Sequence, residues 1–395
     1  MKTIIINRLK RNIKLDYLST FITNLNMQST IWVLYLAYHG LSLAQIGLVE
    51  GIYHATGIIC EIPSGAVADL LGRKRSMLLS KLCILISCLI MLFARSFWFF
   101  ALSFVIQALG NNFNSGSEEA LVYDSMKCLG RESEYMRVNG RLNFLIEVAQ
   151  GIATVMGGIL AERSFFWCYG ACLVITVLAV LPVAGMTEPP YTDGDRKQTG
   201  IGATVAAHFR TSFAILASDS RILKVIVYYS VIFAMETMYF YYSQQYYSEL
   251  GYNKIQISMF LLLHGILACA GAVLSEKIFK RIGKKAGTVA ALAIALGMLC
   301  YGFDNIILSV AVFGVTGFCN AMLYPVQSAQ LNGLIPSAQR ATLISVNSMF
   351  FSIGMILLFP LAGALADRLG LTRVFGGMGV LLLAFALLWN RKRHT

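Results

Sequence analysis

Charge is scarce in this chain. Asp, Glu, Lys and Arg supply 13% of its 395 residues, against about 25% in an ordinary soluble domain, which excludes a water-exposed surface over most of the molecule. A phosphate-binding loop is also lacking, because the nearest match to G-x-x-x-x-G-K-[ST], RIGKKAGT from Arg281 to Thr288, has the wrong spacing. No nucleophile elbow and no cluster of metal ligands appears. The nine cysteines, Cys83, Cys88, Cys168 and Cys172 among them, have no C-x-x-C pairing. They lie mostly in apolar runs and read as small hydrophobes rather than as metal ligands or redox centres. An ATP-driven pump, a metalloenzyme and a hydrolase are thereby set aside. The chain reads as no enzyme, with no cofactor and no metal, and its energy source as an ion or solute gradient, a proton gradient first.

What is present is apolar surface, 57% of the residues being hydrophobic. A helix needs about 20 such residues to cross a bilayer, and twelve runs qualify, at 17–38, 44–66, 77–95, 98–123, 139–161, 166–185, 222–244, 255–275, 287–303, 305–328, 341–362 and 373–390. In lipid every backbone polar group must be satisfied internally, so spans are helices or closed barrels. The alternation that barrel strands require is missing, and helices are expected. The net charge of +12 could suit a nucleic acid, but its placement argues otherwise. With both termini in the cytoplasm, all but five of the 32 Lys and Arg fall on that side, the exceptions being Arg95, Arg163, Lys254, Arg368 and Arg373. That is the positive-inside bias. The basic start, MKTIIINRLKRNIKLD, runs into a full-length span without a small-residue cleavage site and reads as retained.

The polar stretch Thr187–Arg221 divides the chain into an N-terminal six-helix bundle at 1–186, a cytoplasmic loop at 187–221 and a C-terminal six-helix bundle at 222–395. Within the loop, HFRTSFAIL could form a short helix on the membrane surface. The halves are related: GGILAER at Gly157–Arg163 recurs as AGALADR at Ala362–Arg368, 205 residues later. GAVLSEKIFKRIGKK at Gly271–Lys285 is a worn counterpart of EIPSGAVADLLGRKR at Glu61–Arg75. Repeated halves around a midplane site are the plan of secondary transporters.

Gly65, Asp69, Gly72, Arg73 and Lys74 match a G-x-x-x-D-x-x-G-R-K pattern, and on it, with twelve spans in two halves, the chain resembles the major facilitator superfamily. The resemblance implies two six-helix bundles that rock around a central cavity lined by helices 1, 4, 7 and 10, with the loop signature acting as a gating latch. The longer form E-x-P-x5-D-x3-R-K, from Glu61 to Lys74, resembles bacterial drug exporters, the clostridial-type tetracycline efflux proteins among them. Two exporter motifs depart from their pattern: Gln107 and Gly110 stand without an Arg in the fourth helix, and Ala153 and Thr154 occupy a Gly-Pro position before Gly157 and Gly158. Arg75 and Lys81 read as topology determinants.

Ionisable residues inside spans are expensive and point to function. The proton-coupling candidates are Glu236, Glu119, Glu118, Glu147 and Glu61, with His54 and His264 as relays or packing residues. Polar residues fall into helical stripes: Asn24, Gln28 and Tyr35; Gln107, Asn111, Asn114 and Glu118; Asn143, Glu147, Gln150 and Thr154; Tyr229, Glu236 and Ser243; Asn320, Tyr324 and Gln327. The substrate-cavity candidates are Asn24, Gln28, Tyr35, Gln107, Asn111, Asn114, Tyr229, Tyr239, Phe240, Tyr324 and Gln327, and amides that only glue helices are the alternative for any one of them. The seventh helix is crowded with Tyr and Phe, which suits an amphiphilic ligand held against Glu236. Tyr239 and Phe240 read equally as substrate contact or packing, and Tyr246 and Tyr247 as an interfacial belt. No cavity-facing base for an anionic solute is evident.

The expected protein is an all-α membrane protein, a monomer in the cytoplasmic membrane whose partners are the lipid bilayer and a small-molecule substrate, with no nucleic acid. Proton-coupled efflux of amphiphilic compounds such as antibiotics leads. Import or facilitated passage of a polar metabolite is the alternative, and a non-transporting sensor or scaffold a remote one.

Overall fold

Apolar runs of this length should propagate as helix once lipid removes water from the backbone, and Pro63, Pro182, Pro325 and Pro360 all stand inside helices. The computed structural model describes residues 2–190, 210, 219–302, 305–334 and 340–394, and among them every regular element is helical. The helices are α1 (Lys2–Asn24), α2 (Trp32–Tyr38), α3 (Leu43–Leu71), α4 (Arg73–Phe93), α5 (Phe97–Asn114), α6 (Ser117–Cys128), α7 (Tyr135–Arg163), α8 (Phe165–Gly185), α9 (Ser220–Glu249), α10 (Lys254–Ile282), α11 (Ala286–Leu299), α12 (Ile306–Asn332), α13 (Arg340–Leu369) and α14 (Leu371–His394). Nine helices among the described residues are long and apolar enough to cross a membrane. The surface helix expected at HFRTSFAIL lies outside the described residues, Arg210 apart.

Two of the expected spans are interrupted. The run at 17–38 belongs to a helix that already starts at Lys2 and ends at Asn24, followed by a 3-10 turn at Met27–Thr30 and then α2. Asn26 is extended there, with φ −82° and ψ 91°, and the polar sequence NLNMQST supplies the turn-forming side chains. The run at 98–123 is two helices, because Gly116 has φ +73°, a left-handed conformation that a residue with a Cβ adopts at a cost. Glu118 and Glu119 therefore sit in the first turn of α6 rather than in the inner half of a long helix, where the N-terminal dipole favours carboxylates.

The chain divides into two compact units, Met1–Trp32 with Ile52–Ala206, and Val33–Gly51 with Ala207–Thr395. In unit 1, α4 and α5 exchange serine hydrogen bonds: Ser87 Oγ donates to Ser103 O at 2.9 Å and Ser103 Oγ to Ser87 O at 3.0 Å. In unit 2, α10 and α12 approach on small residues, as membrane helices do. A Cβ on Gly271 would overlap the Phe318 carbonyl oxygen, and one on Gly317 would lie 2.7 Å from His264 Nε2.

The start of α3 also belongs to unit 2, and all four of its opening amides are satisfied. Leu43 N and Ala44 N donate to the two carboxylate oxygens of Asp367 at 2.8 and 2.9 Å. Gln45 N donates to Ser42 Oγ at 3.3 Å and Ile46 N to Ser42 O at 2.9 Å. Ser42 N in turn donates to Gln45 Oε1 at 3.0 Å, which completes a capping box.

Candidate functional site

The loop signature folds as a tight joint between α3 and α4. Gly72, at φ +91°, caps α4, in a region open essentially to glycine alone. The free amides beyond it, Arg73 N and Lys74 N, each donate at 2.8 Å to one oxygen of Glu188. A carboxylate at a helix N-terminus is favoured by both hydrogen bonds and dipole. The Arg73 guanidinium reaches α6, donating to Ala120 O at 2.6 Å and pairing with Asp124. Lys74 Nζ donates to Ala184 O at 2.8 Å. Gly65 lies in α3 with open space beside it, and the side chain of Asp69 lies outside the described residues. Glu188 was not expected at this joint, since it lies just past the last span of its half.

Unit 2 contains a buried polar knot. Glu236 of α9 is 2% exposed. Its Oε1 lies 3.0 Å from Nε2 of His264 on α10, and its Oε2 accepts from Nδ2 of Asn320 on α12 at 2.7 Å. His264 is enclosed by Phe240 and Phe313, with ring centroids at 4.9 and 4.5 Å. A carboxyl with both oxygens engaged and an imidazole alongside can pass a proton between the two groups while the pair stays neutral overall.

The rest of α9 is less open than its composition suggests. Tyr239 is fully buried against Tyr301, Phe313 and Phe375, while Phe240 stacks on Phe313. Tyr246 and Tyr247, expected as an interfacial belt, are buried instead. Tyr247 and Tyr301 share a hydroxyl hydrogen bond at 2.6 Å, which gives both phenols the partner that burial demands. Tyr229 accepts from Gln330 at 3.0 Å, Gln327 donates to Asn347 at 2.7 Å, and Tyr324 stacks on Phe233 at 4.2 Å. Tyr35 is buried.

Unit 1 holds a polar cavity whose wall includes Gln28, Lys81, Gln107, Asn111, Asn114 and Thr176. Asn24 donates to Thr20 O at 2.8 Å and accepts from Gln150 at 3.2 Å, and Asn111 donates to the Tyr53 hydroxyl at 2.7 Å. Lys81, read from sequence as a topology determinant, is instead 2% exposed. Its ammonium donates to Thr23 Oγ1 at 2.8 Å. It is thus a base in a cavity wall, of the kind that sequence reading did not find. Beside it are Asp16, 1% exposed, and Glu118, which accepts from Thr20 Oγ1 at 3.1 Å and Asn114 Nδ2 at 2.6 Å. Asp16 was not among the sequence candidates. The remaining carboxylate candidates, Glu61, Glu119 and Glu147, are exposed on the chain. Among the described residues no group of three or more His, Cys, Asp or Glu could hold a metal ion.

Comparisons with known proteins agree on the architecture. A family model described as Major Facilitator Superfamily matches residues 17–303 and 285–394. YxaM, an uncharacterised MFS-type transporter of Bacillus subtilis (strain 168), is 25% identical over 376 residues, which is 92% of this chain and 90% of that one. Among solved structures, the nucleoside transporter NupG superposes with a TM-score of 0.79 at 14% identity, over 98% of each chain. A D-xylose–proton symporter superposes with a TM-score of 0.73 at 15% identity, over 96% of this chain and 97% of that one. At such identities the shared property is the fold.

Proposed function

The chain belongs to the major facilitator superfamily, and from that premise we propose that this multi-pass membrane transporter couples solute movement to protons at Glu236. It works by alternating access, as a monomer in the cytoplasmic membrane with twelve spans and both ends in the cytoplasm, and it exports amphiphilic organic compounds such as antibiotics. The observation that carries the reading is the buried carboxyl of Glu236, held between His264 and Asn320. An unpaired buried charge is costly, so a carboxylate in this place calls for a positive charge beside it. A cationic solute supplies that charge, and proton and solute then compete for one carboxyl, which is the logic of antiport. Nearby rings on α9 and α12 offer faces to the organic part of such a solute.

A second reading is favoured by a specific observation. The unit 1 cavity is lined by Gln28, Gln107, Asn111 and Asn114, groups that suit a small polar metabolite better than a lipophilic cation. Solved structures of the same fold include a nucleoside transporter and a D-xylose–proton symporter.

Dye accumulation in efflux-deficient bacteria expressing the protein, with and without an uncoupler, decides between them. Export predicts lowered accumulation that the uncoupler and Glu236→Gln each abolish. A broad panel of amphiphiles with unchanged accumulation would overturn export and direct attention to metabolite uptake. Transport by Glu236→Gln with the original uncoupler sensitivity would overturn the role of Glu236 in either direction of transport.

A further inference from the structure

The charged cluster of unit 1 is not used by the reading above. Asp16 lies on α1, Lys81 on α4 and Glu118 on α6, so three helices bring a buried carboxyl, a buried ammonium and a half-buried carboxyl to one place. No N–H or O–H donor reaches either oxygen of Asp16. Thr20, one turn on from Asp16 in α1, donates to Glu118 Oε1 at 3.1 Å, which sets the Glu118 carboxyl against the helix face that carries Asp16. Two ionised carboxylates in contact repel, and one must carry a proton. Glu118 is equipped to be the acceptor of the two, since Thr20 and Asn114 donate to it, whereas Asp16 has only Glu118 to give a proton to. Lys81 donates to Thr23 rather than to either carboxyl, and its positive charge offsets the single negative charge that remains. Tyr135, at the start of α7, feels the charge of Asp16 and is itself neutral around pH 7.

We propose that Asp16 and Glu118 share one proton and form a second proton-carrying site, in unit 1, separate from Glu236 in unit 2. With one proton on the pair and Lys81 charged, the cluster is neutral, the state that burial favours. Both carboxyls ionised would leave a net negative charge, and both protonated a net positive one. Exchange runs through the cavity wall, where Asn114 hydrogen-bonds Glu118 and Lys81 stands beside it. The part this site plays in coupling rests on the proton-coupled reading; the shared proton does not.

The test is infrared spectroscopy of the purified full-length chain in lipid nanodiscs at neutral pH, reading the carbonyl band of protonated carboxylic acids and its shift in heavy water. Asp16→Asn and Glu118→Gln should each remove one protonated carboxyl per chain, because the surviving carboxylate then pairs with Lys81 as an ion. Glu236→Gln should leave that component in place. Lys81→Gln should increase the band, since neutrality then requires a proton on each carboxyl, and a gain of this kind does not arise from misfolding. An unchanged band in Asp16→Asn and Glu118→Gln, or loss of the whole band in Glu236→Gln, would overturn the proposal. The second result would leave the coupling role of Glu236 standing, so the two proposals fail separately.

Discussion

Asp367 closes the start of a helix that begins 324 residues before it in the chain, and removing its carboxylate should open that end alone. The four amides at the start of α3 have no partner within the helix. Asp367 takes those of Leu43 and Ala44, the Ser42 hydroxyl takes that of Gln45, and the Gln45 side chain takes that of Ser42. A hydrogen bond to a charged group contributes about 1.5–3 kcal/mol when protected from solvent, and replacing a capping side chain by Ala costs about 0.5–2 kcal/mol. Asp367 is exposed, so water and salt screen its charge and the low end applies. Asp367→Ala should therefore cost about 1–2 kcal/mol. Asp367→Asn keeps one acceptor and loses the charge that favours the dipole, and should cost roughly half as much. The assay is hydrogen exchange at single amides of the purified protein in detergent. A loss of about 1.4 kcal/mol is a tenfold change in an opening equilibrium, so Leu43 and Ala44 amides should exchange about tenfold faster in Asp367→Ala. The Gln45 amide should stay protected by Ser42 there, and Ser42→Ala should release the Gln45 amide first. Unchanged exchange at Leu43 and Ala44, or equal acceleration along the whole of α3, would refute the assignment of the first two amides to Asp367.

Two glycine substitutions test how closely backbones approach. Gly271→Ala drives a methyl group into the Phe318 carbonyl, whereas Gly265, on the same helix, has open space. The first should cost about 1–3 kcal/mol by overpacking and the second should be neutral or slightly stabilising, as read by equilibrium unfolding in mixed micelles; equal effects would contradict the α10–α12 contact. Gly72→Ala places a Cβ 3.1 Å from Glu188 Oε1 at a φ of +91°, a conformation that costs about 1–3 kcal/mol without glycine. It should lower stability and speed exchange of the Arg73 and Lys74 amides, and protection unchanged at both would show that Glu188 does not cap α4.

Much of the fold was legible because lipid leaves a chain few choices: long apolar runs must be helices, and their ends fall within a few residues of the polar breaks that bound them. Interruptions were harder to read. Ser115 and Gly116 carry turn chemistry, yet they sit inside a run whose apolar content masks them, and NLNMQST offered a similar warning at the end of α1. Capping by Glu188 and Asp367 could not be read locally, since each carboxylate serves a helix far away in sequence. The AGALADR repeat did mark Asp367 as one member of a pair, but gave no hint of which helix it holds. Asp16 stands one residue before the apolar run at 17–38, among the basic residues of the start, which hides it from a search for acids inside spans. A usable signal was present: Asp16, Thr20 and Thr23 recur at steps of four and three, one face of a helix, and Lys81 lies six residues beyond its basic loop neighbours. Tyr246 and Tyr247 were misplaced because aromatic residues near a span end are ordinary interface anchors, and only tertiary contact with Tyr301 reveals that they are interior.

The two buried ionisable sites are built on different plans and obey one electrostatic rule. Glu236 has donors on both oxygens and an imidazole that can take its proton. The Asp16–Glu118 pair has a fixed ammonium nearby and donors on one carboxyl only. In each case one proton makes the cluster neutral overall, and removing that proton from the cluster leaves a buried charge of one sign, which is costly in apolar surroundings. Glu236 is sealed from water, whereas Glu118 is only half-buried, so it is the unit 2 site that stays closed to proton exchange. Exchange there must wait for a change that admits solvent or brings a compensating charge, and a bound solute can do either. On the proton-coupled reading proposed above, such sites would tie protonation to the state of the surrounding helices.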